Sequence, residues 1–215
     1  MIVAIDGPAG SGKSAVGRRV AEALGLPFVD SGLMYRAIAC VAEDRCVPLQ
    51  DGAALTRLAH SVRVHVDGRR VEVDGVDYTN RVYAPELSEA ASRVAKVAGV
   101  RLALVAEQRG LGRVGVVMAG RDIGTVVFPD TPHKFFLTAS VEERARRRAA
   151  QITARGEHAD PQQLRREVEE RDRRDTQRSA SPLRAAEDAV VIPTDELDLD
   201  GVVQEVLRRI DDGTR

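Results

Sequence analysis

The chain has 215 residues, enough for one good core with a small appended unit. Acidic and basic residues nearly cancel, 33 against 32, which argues against a general binder of nucleic acid or membrane surfaces, because such chains carry a one-sided excess. No apolar run approaches ~18 residues, so no membrane-spanning helix is predicted, and "MIVAIDGPAG" lacks the basic n-region and cleavage site of a signal peptide.

Cys40 and Cys46 fall in a predicted helix and its exit, and read as reduced packing residues of a cytoplasmic protein. His60, His65, His133 and His158 are scattered, with no metal-ligand spacing. Only three of the 32 basic residues are lysines: Lys13, Lys96 and Lys134. A lysine kept in so arginine-rich a chain marks a place where a compact point charge is wanted, and Lys13 is such a place.

In chain order, "IVAI" (residues 2–5) reads as a buried strand and "KSAVGRRVAEAL" (13–24) as a helix with Val16, Val20, Ala23 and Leu24 near one face, ended by Gly25. "LPFVD" is a second strand, and Ser31 is placed to cap a helix running to about residue 42. This alternation predicts an α/β fold with a parallel sheet. Residues 62–78 alternate apolar and polar around two Asp-Gly turns, which predicts an antiparallel hairpin or three-stranded meander inserted into that fold. "APELSEAASRVAKVAG" then reads as a helix from Pro85 to near Gly99, with another over roughly 100–110. The α/β pattern resumes with "GVVMAG" and "KFFLTAS", and Ser140 and Glu143 predict a capping box for the next helix. Residues 153–160 read as a loop, Asp160 and Pro161 open a helix through about residue 176, and "AVVIPT" is a last strand before an amphipathic terminal helix.

"GPAGSGKS" (7–14) matches G-x-x-x-x-G-K-[ST] between a buried strand and a helix, the context that motif requires. Gly7, Gly10 and Gly12 let backbone amides wrap phosphates, Lys13 should reach the β- and γ-phosphates, and the Ser14 hydroxyl should ligate magnesium. The predicted ATP site is therefore Gly7, Pro8, Ala9, Gly10, Ser11, Gly12, Lys13, Ser14 and Ala15. A phosphoryl-transfer enzyme also needs positive charge around the transferred group. Arg36 lies one turn into the helix after Ser31, and Arg121 ends the third core strand, on the edge where open α/β sheets bind ligands. Arg171, Asp175 and Arg178 share one helix side, continuing the stripe of Leu164 and Val168. Spacing alone also allows plain i, i+4 ion pairs, Glu167–Arg171 and Arg171–Asp175. Asp122 has two readings as well: a magnesium acid at the end of an apolar strand, or, with Arg121 beside it, a contact for the acceptor.

"IDGPAGSGKS", "DSGLMYR", the Asp-Gly meander, "AASRVAKVAGVR", "GRDIGTVVFPD", "KFFLTAS" with "EERARRR", and "RDRRDTQRSASPL" together resemble bacterial-type cytidylate kinases over nearly the whole chain. The resemblance implies a P-loop nucleoside-monophosphate kinase fold with a five-stranded parallel sheet. It implies a core of residues 1–30, 102–150 and 177–215, a monophosphate-binding domain over 31–101 that holds the meander, and a lid over 151–176. It implies that ATP, with Mg²⁺, phosphorylates CMP and dCMP in a monomeric enzyme. By position, Ser31, Arg36, Arg121 and Arg178 would hold the acceptor phosphate and Tyr35 would shape that pocket. Ser92, Arg101 and Asp122 would read the cytosine edge, and Arg171 and Asp175 would sit at the sugar hydroxyls. Catalysis would rest on Lys13, Arg121, Arg171 and Arg178. Arg144, Arg147 and Arg148 would supply the lid side, with Arg147 at ATP. Two other classes remain in view: a shikimate-type kinase in which Asp30 serves a hydroxyl acceptor, and a P-loop switch that binds a partner.

Overall fold

Val3, Ala4 and Ile5 are fully buried because their strand lies at the centre of a parallel sheet covered on both faces. The computed structural model describes residues 1–84 and 86–213. In chain order the elements are β1 (Ile2–Asp6), α1 (Lys13–Leu24), β2 (Phe28–Asp30), α2 (Ser31–Asp44), α3 (Gly52–Ser61), β3 (Val64–Asp67), β4 (Arg70–Val73), β5 (Val76–Asp77), α4 (Thr79–Val82), α5 (Leu87–Val94), α6 (Ala98–Leu111), β6 (Val116–Gly120), β7 (His133–Thr138), α7 (Val141–Thr153), α8 (Pro161–Gln177), β8 (Val190–Pro193) and α9 (Leu199–Gly213). A single π-helical turn, Ile123–Val127, follows β6.

The main sheet runs β2-β6-β1-β7-β8 with every pairing parallel, as the alternation of strands and helices predicts. Successive strand residues serve opposite faces. Ala4, Val29 and Met118 pack with α2, α3, α5 and α6, whereas Val3, Ile5, Val117 and Ala119 pack with α1 and α9. The meander forms its own sheet, β3-β4-β5, and buries Val64, Val66, Val71 and Val73 in the α2 cluster. Its second turn needs positive φ at both central residues, Asp74 (51°) and Gly75 (81°), which suits an Asp-Gly pair. Ala145, Leu164 and Val168, the buried apolar residues of the α7–α8 hairpin, belong to neither apolar cluster.

Several local expectations are corrected. Asp30, not Ser31, caps α2: the extended backbone is at Asp30, whose Oδ1 accepts from Gly32 N at 3.0 Å. Ser31 is the first helical residue, and its hydroxyl ties α2 to β6 by donating to Ala119 O at 2.9 Å. In α1, Ala21 rather than Ala23 is buried, because α9 packs on that side. The predicted helix over 85–99 is interrupted. Pro85 lies outside the described residues, α5 ends at Val94, and Val97 is extended. Gly99 stands inside α6, where a Cβ would come within 2.3 Å of Thr56, so its lack of a side chain lets α6 close on α3. Helix α3 itself has no counterpart among the predicted elements. Only half of the capping box forms. Ser140 Oγ accepts from Glu143 N at 3.2 Å, but the Glu143 carboxylate is taken by Arg146 and Arg147, and Ser140 N donates to Asp195. Cys40 packs in the core, whereas Cys46 is an exposed free thiol.

Candidate active site

The strands β1, β2 and β6 end side by side at Asp6, Asp30 and Gly120, and the residues after those ends build the site. After β1 the chain turns through Gly7 (φ 147°), Gly10 (80°) and Gly12 (92°) before α1 begins. A Cβ on Gly7 would lie 2.2 Å from Leu137 O, so the turn and the close approach to β7 both require glycine. Lys13 is buried, and its Nζ donates to Pro8 O at 2.5 Å. Burial and the facing Arg121 guanidinium hold the Lys13 ammonium well below its usual range, against the pull of Asp30. Ala15 N donates to Gly12 O at 3.1 Å as α1 starts.

Ser14 Oγ donates to Asp30 Oδ2 at 2.6 Å. Among the described residues no group of three or more His, Cys, Asp or Glu side chains could hold a metal ion. The hydroxyl and carboxylate of this pair are nevertheless hard oxygen donors facing the glycine loop, the donor set that suits magnesium bound mainly by nucleotide phosphates.

Ala9 and Gly10 open onto a cavity of about 510 Å³ that Arg36, Arg144, Arg147, Arg148 and Arg171 also line. The three α7 arginines that line this cavity differ in occupation. Arg144 is buried and forked onto Asp172 of α8 at 2.9 and 2.6 Å, while Arg148 faces Glu167 at 3.4 Å. Arg147 lies over the glycine loop, 4.0 Å from where a Gly12 Cβ would stand, and donates to Thr194.

A second cleft adjoins this cavity. Its lining includes all ten residues expected at the acceptor: Ser31, Tyr35 and Arg36 of α2, Ser92 of α5, Arg101 of α6, Arg121 and Asp122 after β6, and Arg171, Asp175 and Arg178 at the end of α8. At the end nearer the glycine loop, Arg121 Nε donates to Asp175 Oδ2 at 2.8 Å, and Arg36 and Arg171 converge on Ser88 Oγ at 2.7 and 3.4 Å. Burial and the Arg121 guanidinium push Arg171 down to about 9. Burial would raise Asp175, but Arg121 and Arg171 outweigh it and hold the carboxyl below its usual range. At the far end, Arg101 Nη2 donates to Asp122 Oδ2, Arg178 Nη2 stands 4.0 Å from Asp122 Oδ1, and the Arg101 guanidinium lies 5.2 Å over the Tyr35 ring. Ser92 Oγ is buried there without a hydrogen-bond partner. Burial pushes the Tyr35 hydroxyl up to about 12, so it stays a neutral donor.

The pairs that spacing suggested, Glu167–Arg171 and Arg171–Asp175, give way to partners across the fold, Asp175 to Arg121 and Glu167 to Arg148, although Arg165–Glu169 does pair within the helix. Ser14 bonds to Asp30 rather than Asp122. Spacing also missed Ser88, which joins two arginines, and Asp6, whose carboxylate accepts from the amides of Ile123 and Gly124. Asp6 carried the same signal as Asp30, an acid at a strand's C-terminal end.

Comparison with known proteins bears on this geometry. The family model described as cytidylate kinase matches residues 3–212. A cytidylate kinase of Desulforamulus reducens is 46% identical over 215 residues, covering 98% of this chain and 97% of the relative. One of Pelotomaculum thermopropionicum is 47% identical, covering 99% and 97%. A bifunctional pantoate ligase/cytidylate kinase of Synechococcus sp. (strain JA-3-3Ab) is 46% identical over 96% of this chain, and the chain spans only 40% of that longer relative. In structure, an uncharacterized protein from Eubacterium ventriosum superposes with a TM-score of 0.56 at 15% identity, covering 99% and 98%, which speaks to the fold alone. With a glycine loop and an arginine-lined cleft meeting at one sheet edge, and a family match across nearly its whole length, the chain belongs to the cytidylate kinase family.

Proposed function

We propose that the protein transfers the γ-phosphoryl group of ATP to CMP and dCMP, giving the diphosphate and ADP. The observation that carries this reading is the cleft that begins at the arginines beside the glycine loop and ends at Asp122, Arg101 and Ser92. Lys13, Arg121 and Arg171 crowd one another so closely that burial and mutual repulsion depress both Lys13 and Arg171, the electrostatics of a site built for anions. The acceptor is itself a phosphate, anionic near neutral pH, so its oxygen can attack the γ-phosphorus without a general base. The protein's work is to bring two anions together, align them and offset the charge.

In this reading Arg36, Arg121 and Arg178 hold the acceptor phosphate against Ser31, and Arg171 and Asp175 meet the sugar. Asp122 accepts from the exocyclic amino group of cytosine, with Arg101 and Ser92 on the neighbouring edge. Uracil presents an acceptor at that position and would set a lone pair against the carboxylate, which a desolvated site rejects. Gly7 to Ala15 and Arg147 hold ATP. Ser14, with Asp30 behind it, would hold magnesium, which when bound to the phosphates neutralises their charge. The hydroxyl-acceptor alternative loses support because Asp30 already accepts from Ser14 Oγ and Gly32 N.

The cleft encloses about 60 Å³, far below the several hundred Å³ of a nucleotide site, so the reading requires α5 and α8 to part for the acceptor. It assigns 151–176 as the lid, 31–101 as the monophosphate-binding domain and the rest as core. The cytoplasmic assignment draws on the two free thiols, and the monomer on the family resemblance. The test is a panel of monophosphates in an ADP-release assay, repeated with Asp122→Asn. CMP should be turned over fastest and Asp122→Asn should erode its advantage over UMP. Equal or faster turnover of AMP, UMP or dTMP would defeat the assignment.

A further inference from the structure

The π-helical turn Ile123–Val127 hangs directly from Asp122, and both of its ends are held by side chains remote in the chain. At its start, Asp6 Oδ1 accepts from Ile123 N at 2.9 Å and Oδ2 from Gly124 N at 2.7 Å. At its finish, Arg109 of α6 donates through Nε to Val127 O at 3.0 Å and through Nη2 to Val126 O at 2.7 Å. The turn closes on Asp122, whose carbonyl accepts from Val126 N at 2.9 Å and Val127 N at 3.1 Å. A carboxylate thus satisfies free amides at the amino end, and a guanidinium satisfies free carbonyls at the other, the polarity that an isolated helical turn prefers. There is little slack around it: a Cβ on Gly124 would lie 3.2 Å from the Lys134 stem, and one on Gly120 would lie 2.6 Å from Ile123 Cδ1.

We infer that Asp6 and Arg109 are positioning residues for nucleobase selection. Neither lines the acceptor cleft. They act through the backbone that sets where the Asp122 carboxylate stands. The helix that supplies Arg109 also supplies Arg101, the direct partner of Asp122, so α6 grips the turn and the acid together. Discrimination between an amino and a keto group depends on the placement of one acceptor, and loosening its support by a fraction of an ångström degrades discrimination before it degrades folding. Burial lifts the Asp6 carboxyl to about 6, so at neutral pH the charged form accepts the two amides.

This inference rests on the proposed role of Asp122 and is tested beside it. Asp6→Asn, Arg109→Gln, Arg109→Lys and Asp122→Asn are compared with the native chain for kcat/KM on CMP and on UMP, and for the KM of ATP. Arg109 is exposed, so its variants keep the test open if Asp6→Asn does not fold. The expected result for Asp6→Asn and Arg109→Gln is a fall of about tenfold in the CMP-to-UMP ratio, carried by the KM for CMP, with the KM of ATP moving less than about twofold. Arg109→Lys should recover part of the ratio. If Asp122→Asn lowers the ratio while Asp6→Asn and Arg109→Gln lower both substrates equally, the positioning role is wrong and base reading stands. If Asp122→Asn leaves the ratio unchanged, base reading falls and the positioning role with it.

Discussion

Arg121 Nε donates to Asp175 Oδ2 at 2.8 Å, joining the end of β6 to the last turn of α8. The carboxylate separates two guanidinium groups, Arg121 and Arg171, that otherwise repel. Asp175→Asn removes the charge and keeps the shape. The expected outcome is a rise of about tenfold in the KM for CMP, with a loss of about 3 kcal/mol of stability from leaving buried charge unpaired. Steady-state kinetics and urea unfolding check the two parts separately.

Lys13→Met should separate activity from stability. Burial and the nearby Arg121 disfavour the folded ammonium, and Pro8 O keeps its bond from Ser11 Oγ when Lys13 is gone. Turnover should fall at least about 100-fold. The melting temperature should rise by about 2–4 °C, the effect of ~1 kcal/mol in a chain of this size. Scanning calorimetry without nucleotide measures it, and a lower melting temperature would contradict the electrostatic argument.

Gly17→Ala tests packing away from the cleft. In an exposed helix this change stabilises by about 1 kcal/mol. Here the new Cβ would lie 2.5 Å from the Phe28 ring, between α1 and β2. The change should cost about 1–3 kcal/mol, read as an earlier urea midpoint at unchanged slope.

Asp6 gives stability a specific pH signature. Burial raises its carboxyl from 3.8 to about 6, helped by Asp122 and opposed by the Ile123 and Gly124 amides and by Lys13. Between those values the folded chain holds a proton that the unfolded chain has released. The group's contribution is therefore full below about pH 4 and is lost as pH rises through about 6. Stability of the native chain minus that of Asp6→Asn should decline across this window, by at most about 3 kcal/mol, and be level above it. A difference that rises with pH would contradict the assignment.

The sheet was legible in the sequence because its strands are short apolar runs punctuated by glycine and proline, and because the phosphate loop must sit between a strand and a helix. The meander was legible from its alternation and Asp-Gly turns. Helix α3 was not read, although Asp51 caps it and Leu55, Leu58 and Ala59 mark its buried face. Its periodicity is as clear as that of α1, so the cap and the apolar face were signal enough to predict it. The cleft's residues were nameable in advance, but their partners were not. Asp6 meets Ile123 across 117 positions and Arg121 meets Asp175 across 54, separations that no local spacing encodes. The predicted break near Gly99 failed for a related reason: the glycine serves contact with Thr56 of another helix, not the end of its own.

The α7–α8 hairpin shares no apolar cluster with the sheet; its ties to the rest of the molecule include the pairs Arg121–Asp175 and Arg174–Glu89 and the contacts of Arg147 with Thr194 and Arg171 with Ser88. Of these ties Arg121–Asp175 is largely buried and Arg174–Glu89 is the more exposed pair, which weakens as salt is added, whereas apolar burial answers mainly to temperature. The two influences therefore address different parts of one chain. On the proposed lid assignment, ionic strength would set how readily 151–176 lifts, while heat would decide whether the platform beneath it survives. A change of charge at Glu89 or Arg174 would then retune that motion while leaving the folded body untouched.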